Sequence, residues 1–214
     1  MDEEHLKEIH YKIVEQVNKK HPNYHNVIVP TKDSQKYTNL YSIWEDILFC
    51  QYCITNLLEL RKEKNSNFIH EFCLWYSLIS LYGRCFTQPA HNTKSKLEVR
   101  DCFGENDSQL LSRHNKLMDL RHKFLAHRGD TILEQGILFL QIPKDKLKNS
   151  PQFHVESVRA GSPLDKELKD YMELFNHLKL VIQRKLEKQS TKIETKMMID
   201  FRNKILELIE EMKL

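Results

Sequence analysis

From Tyr37 to Lys64 the apolar residues Leu40, Ile43, Trp44, Ile47, Leu48, Ile54, Leu57 and Leu58 recur at helical spacing. A stripe of this length fits a long helix and not a strand, because side chains three and four positions apart share one face of a helix, whereas a half-buried strand alternates. The run closes in Arg-Lys-Glu-Lys and a polar Asn-Ser-Asn turn, and a second apolar helix is predicted from Phe68 to Cys85. Both stretches are apolar around most of their circumference and the connection is short, so they form an antiparallel pair at the centre of a bundle. Punctuation elsewhere is sparse, with 5 glycines and 6 prolines in 214 residues. That scarcity favours long helices over many short strands and makes the fold class mainly α.

The rest of the chain extends this pattern. Leu6, Ile9, Ile13, Val14 and Val17 stripe a helix over residues 3–20 that Pro22 ends, and a polar loop is expected over 21–35. Residues 87–106 read as a polar connector with a short helix at Lys94 to Asp101. A further helix, capped by Asp107 or Ser108, runs to Arg128 and closes at Gly129. Two β-rich pieces, Ile132 to Ile142 and Phe153 to Val158, flank a turn-rich stretch and predict a small antiparallel hairpin, an excursion over 132–160. Ser162-Pro163-Leu164-Asp165 gives a helix start, with Ser as N-cap and Pro at the first helical position. The stripe then continues from Leu168 to Leu186 and resumes past Gln189-Ser190 as an amphipathic C-terminal arm, 162–214 in all, that calls for a partner surface. The whole of 1–214 reads as a single domain, a size ample for a substantial core.

Several function classes fall away. The most apolar stretch, Phe72 to Tyr82, is 11 residues long with two serines inside, against the roughly 20 needed to span a bilayer. No Gly-rich phosphate loop is present, which argues against nucleotide hydrolysis of that kind. A formal charge of +3 permits a nucleic-acid partner without arguing for one. Five cysteines, an odd number, in a chain opening Met-Asp-Glu-Glu read as reduced thiols of a cytoplasmic protein. Cys50 and Cys53 have a metal-ligand spacing, but they sit in an apolar helix with no second such pair, so core packing is the better reading and no metal or cofactor is expected. Trp44, Trp75 and Tyr76 read as core and not as base-stacking platforms, and Asp101, Glu105 and Asp107 as a solvated loop and cap and not a cation site.

Chemistry concentrates at the end of the helix predicted over 107–128. Leu110, Leu111, Leu117, Met118, Phe124 and Leu125 supply the buried side, while Arg113, His114, Arg121, His122, His127 and Arg128 gather cationic and titratable groups. At about 100° per residue, Arg121 and His127 stand about 120° apart on the helical wheel, so both border one groove only if it is wide or shared with another chain. The plainer alternative is a solvated polar face whose last-turn His and Arg favour the negative end of the helix dipole. His114 and Arg128 serve either structure or RNA-backbone contact, as does Arg113.

The segment Arg121, polar His122, an apolar-containing spacer and His127 resembles the Arg, polar, spacer, His motif of the HEPN superfamily, at Arg-X5-His spacing. Ala126-His127-Arg128 resembles a phrase common in HEPN proteins of toxin and abortive-infection systems. The motif also ends a late helix of an all-α bundle, as in that family. What the resemblance implies is a metal-independent endoribonuclease, a toxin or antiphage effector, in which the ribose 2′-hydroxyl attacks the adjacent phosphorus. His127 would then be the acid-base residue, Arg121 the phosphate clamp and His122 an orienting support, with Arg128, His114 and Arg113 on the RNA. It further implies a homodimer with a composite active site and an antitoxin or other defence-system partner protein. In relatives silenced by modification of a tyrosine two places after the histidine, that position carries the tyrosine; here it is Gly129. A non-catalytic HEPN-like RNA-binding or protein-interaction module is the alternative.

Overall fold

The computed structural model describes residues 3–23, 29, 31–62, 67–87, 95–126, 134–141, 152–159 and 162–211. They form α1 (Glu3–Lys20), α2 (Lys32–Leu60), α3 (Phe68–Phe86), α4 (Val99–Cys102), α5 (Ser108–Leu120), a π-helical segment (Arg121–Ala126), β1 (Glu134–Gln141), β2 (Gln152–Arg159) and α6 (Asp165–Glu211). The chain is mainly α with one small antiparallel hairpin, as its periodicity predicts.

The bundle consists of α2, α3, α5 and α6, and side-chain pairs fix its directions. Arg61 meets Glu71 and Asp46 meets Arg84, so α3 runs back along α2. Arg61 also meets Asp165, Gln51 meets Asn176 and Asp33 meets Gln189, so α6 runs against α2 as well. Arg113 meets Glu173 and Lys116 meets Glu167, so α5 is antiparallel to α6. The four helices therefore alternate up and down in chain order, a short connection joining α2 to α3 and longer ones carrying α4 and the hairpin. Ile47, Ile54 and Leu57 of α2, Leu78, Ile79 and Tyr82 of α3, Leu117 of α5 and Leu174, Phe175, Leu178 and Ile182 of α6 are fully enclosed. Each such side chain contributes about 1.5–3 kcal/mol by leaving water. Cys50, Cys53, Cys85 and Cys102 lie buried as free thiols, and Trp75 is buried beside them with Trp44 and Tyr76 packed on the same core.

Four boundaries depart from expectation, the first three for local reasons. Helix α2 starts at Lys32, inside the expected loop, because Thr31 and Ser34 form a reciprocal cap: the Ser34 N–H donates to Thr31 Oγ1 and the Thr31 N–H to Ser34 Oγ, each at 3.0 Å. Ser162 is not the N-cap of α6, which begins at Asp165. Its hydroxyl instead accepts from Arg61 Nη2 at 2.5 Å and donates to Glu71 at 3.1 Å. Arg61 thereby ties the end of α2, the first turn of α3 and the approach to α6 into one clamp. The C-terminal arm shows no break at Gln189-Ser190. The Gln189 amide is held by Asp33 and the Ser190 hydroxyl donates to Glu194 at 2.9 Å, so α6 runs 47 residues, about 70 Å at 1.5 Å per residue. The connector's helix is the single turn Val99–Cys102, shorter than expected.

Beyond Leu186 the described side chains of α6 leave the core, and Met197, Met198 and Ile199 are exposed. The hairpin matches its predicted segments. Leu138 pairs with Val155 and Leu140 with Phe153 on one exposed face. No helix among the described residues is long and apolar enough to cross a membrane.

Candidate functional site

The sequence predicts one helix to Arg128; the structure divides it. After Leu120 the backbone widens into the π-helical segment Arg121–Ala126, an irregularity that recurs at functional sites because it re-aims side chains. Arg121 sits at the junction, its N–H shared between the carbonyls of Leu117 and Met118. Its aliphatic stem lies across Gly83 of α3: a Cβ on residue 83 would stand 2.6 Å from Arg121 Cγ and 3.2 Å from Cδ. Only glycine leaves room for this crossing. Glycine inside an apolar helix costs about 1 kcal/mol relative to alanine, a penalty that close approach of another group offsets.

The half-buried stem delivers the guanidinium to the exposed His122, with Arg121 Nη1 3.2 Å from His122 Nδ1. Arginine has no acceptor, so Nδ1 accepts, and the ring proton of the neutral imidazole belongs on Nε2. The pair thus offers a fixed cation and a titratable ring side by side. Lys123, next along, is held at 2.7 Å by Asp119 one turn back. His127, Arg128 and Gly129 lie outside the described residues, so the expected juxtaposition of Arg121 with His127 does too.

Two residues expected on RNA are engaged elsewhere. His114 is 4% exposed, boxed by Phe86 and Phe103 with ring centroids at 4.5 and 5.3 Å, and its Nδ1 is 2.7 Å from the Tyr82 hydroxyl. Burial pushes its pKa down to about 4, so it is a neutral core histidine at pH 7, and its enclosure removes it from any surface contact. Of the two roles open to it, the structural one holds. Arg113 is bound by Asp170 at 2.8 Å and Glu173 at 2.6 Å, so its charge stitches α5 to α6 and is not free for phosphate.

Among the described residues, no group of three or more His, Cys, Asp or Glu side chains is arranged to hold a metal ion. Burial pushes the Cys50 and Cys53 thiols up, Cys102 to about 11, which keeps them protonated and poor ligands. Gly83 is the residue that reading the sequence missed; its signal was a lone glycine within an apolar helical stripe. Set against family models, curated proteins and solved structures, the chain matches none.

Proposed function

We propose that the chain is a metal-independent endoribonuclease of the HEPN type, with Arg121 and His127 as its chemical pair. The observation that carries this reading is the way Arg121 is held: a half-buried stem threaded over Gly83, with the guanidinium set beside an exposed histidine at a helix irregularity. Arg61, Arg84 and Arg113 are held by carboxylates, whereas the Arg121 guanidinium meets a histidine and no carboxylate among the described residues, which suits a group that must meet negative charge as it develops.

In the reaction His127 accepts the proton of the ribose 2′-hydroxyl and O2′ bonds to the adjacent phosphorus. The bond from phosphorus to O5′ breaks, and O5′ takes a proton, leaving a 2′,3′-cyclic phosphate and a 5′-hydroxyl. Histidine suits both transfers because it titrates near neutrality. Arg121 offers a planar fork of donors to the phosphorane oxygens, and His122, hydrogen-bonded to that fork, orients it. Single-stranded RNA is the substrate class, since only a free backbone reaches in-line geometry easily. A second copy of the chain would supply the other half of the groove, and a toxin or defence role, with a protein that restrains it, follows from the motif resemblance.

The exposed Met197, Met198 and Ile199 on α6 favour the rival reading, an interaction module whose Arg-His motif is coincidental. Labelled RNA incubated in chelator separates the two. Cleavage leaving a cyclic phosphate, blocked by a 2′-deoxy nucleotide at the cut site, supports the ribonuclease; an intact substrate across structured and unstructured RNAs defeats it.

A further inference from the structure

Six lysines line one open groove of about 960 Å³ where the start of α2, the connector before α4 and the middle of α6 converge: Lys36, Lys96, Lys185, Lys188, Lys192 and Lys196. The clustering follows from helix periodicity. Positions 185, 188, 192 and 196 repeat at three and four and so share a face, while Glu187 and Glu194 fall on the opposite side of the same helix. The alignment is built, not incidental. Asp33, only 6% exposed, takes Lys192 at 2.6 Å and Lys196 at 3.3 Å, and its backbone carbonyl accepts from Gln189 at 3.0 Å, so the α6 face is pinned to the first turn of α2. Asp101 meets Lys185 at 2.8 Å and Glu98 meets Lys96 at 3.5 Å. Lys36 and Lys188 are exposed and in no ion pair among the described residues. Cations outnumber the anions that touch them by six to three.

We propose that this groove holds the phosphate backbone of a single-stranded RNA, a binding site separate from Arg121; the choice of RNA among phosphate polymers rests on the ribonuclease reading. The shape argues for a polymer. Lys185 to Lys196 extend about 16 Å along α6 at 1.5 Å per residue, the length of about five stacked nucleotides at 3.4 Å each; Lys192 and Lys196 share the single carboxylate of Asp33, so the row keeps net positive charge where Arg113, facing two carboxylates, does not. A compact anion would need donors converging on one point, and here they form a row. Lysine suits this task, since a point charge on a flexible stem follows a backbone without reading its sequence.

The test is fluorescence anisotropy with a fluorescein-labelled oligouridylate of about ten nucleotides, within the usual site size of single-strand binders. Full-length His127→Ala protein serves as the parent, so that binding is read without cleavage. Lys36→Glu with Lys188→Glu is expected to weaken binding about tenfold or more, and the slope of log affinity against log salt to fall by about 1.4, two contacts at about 0.7 each. Circular dichroism checks the fold, and the milder Lys36→Gln, Lys188→Gln pair gives the same test with a smaller loss should the reversals disturb it. Unchanged affinity and slope in both pairs overturn the proposal, as does displacement of the strand by uridine monophosphate or polyglutamate at equal charge concentration. Wild type that cleaves RNA while the groove variants bind like the parent sinks this inference alone. Groove-dependent binding without any cleavage by wild type sinks the ribonuclease reading alone.

Discussion

Acidification from pH 7 to pH 4 should strip this protein of stability through one enclosed histidine. His114 is 4% exposed among Phe86, Phe103 and Tyr82, and burial lowers its pKa from 6.5 to about 4. The folded state therefore resists the proton that the unfolded chain accepts at higher pH. The stabilisation is fully present above the unfolded value of about 6.5 and is lost as pH falls toward 4. A shift of about 2.5 units at 1.36 kcal/mol each corresponds to about 3 kcal/mol, a large share of the 5–15 kcal/mol typical of a domain. Urea unfolding followed by circular dichroism at half-unit pH steps measures it. His114→Gln, which keeps a polar partner for the Tyr82 hydroxyl but does not titrate, should lose about 3 kcal/mol less than wild type between pH 7 and pH 4. Parallel stability curves for the two proteins would refute the assignment of His114 as a neutral core residue.

Gly83→Ala should push the Arg121 stem aside at a cost of about 1–3 kcal/mol, the range for overpacking; RNA cleavage should fall more than tenfold with the helix signal retained. Arg61→Met should lower stability by about 2–3 kcal/mol in thermal unfolding, since it leaves the half-buried Glu71 carboxylate without a cation and with only the Ser162 hydroxyl. Asp33, whose carboxyl the Lys192 hydrogen bond holds down to about 2, contributes stability above the ordinary aspartate value that disappears as pH drops toward 2. Asp33→Asn should therefore be less stable at pH 7 and flatter between pH 4 and pH 2, read as the acid limb of an ellipticity titration.

The elements that periodicity governs were legible. The α2 and α3 stripes, their antiparallel pairing, the hairpin and the burial of Cys50 and Cys53 all follow from which residues must leave water, whereas Cys73, a cysteine of the same apolar α3 stripe, is exposed and not the buried hydrophobe its neighbours predict. Boundaries set by particular hydrogen bonds were not: the Thr31–Ser34 cap uses serine where a glutamate is the usual signal, and Ser162, a fitting N-cap by type, is taken by Arg61 instead. The candidate site was legible as composition and not as geometry. His114 and Arg113 look available in a row of basic residues, and only packing against α3 and α6 shows that both are committed. Gly83 and Arg121 stand 38 positions apart, so no local pattern joins them. The lysine row escaped notice for the same reason: a net charge of +3 says nothing of six lysines brought to one groove from three segments.

The most direct test of the central claim is the rate of RNA cleavage in chelator by Arg121→Ala and by His127→Ala, each against wild type under the same conditions. Removing a preorganised donor to developing charge should cost about 10²–10³-fold, and removing the acid-base residue about 10²–10⁴-fold. Cleavage at the wild-type rate by both folded variants would contradict the account.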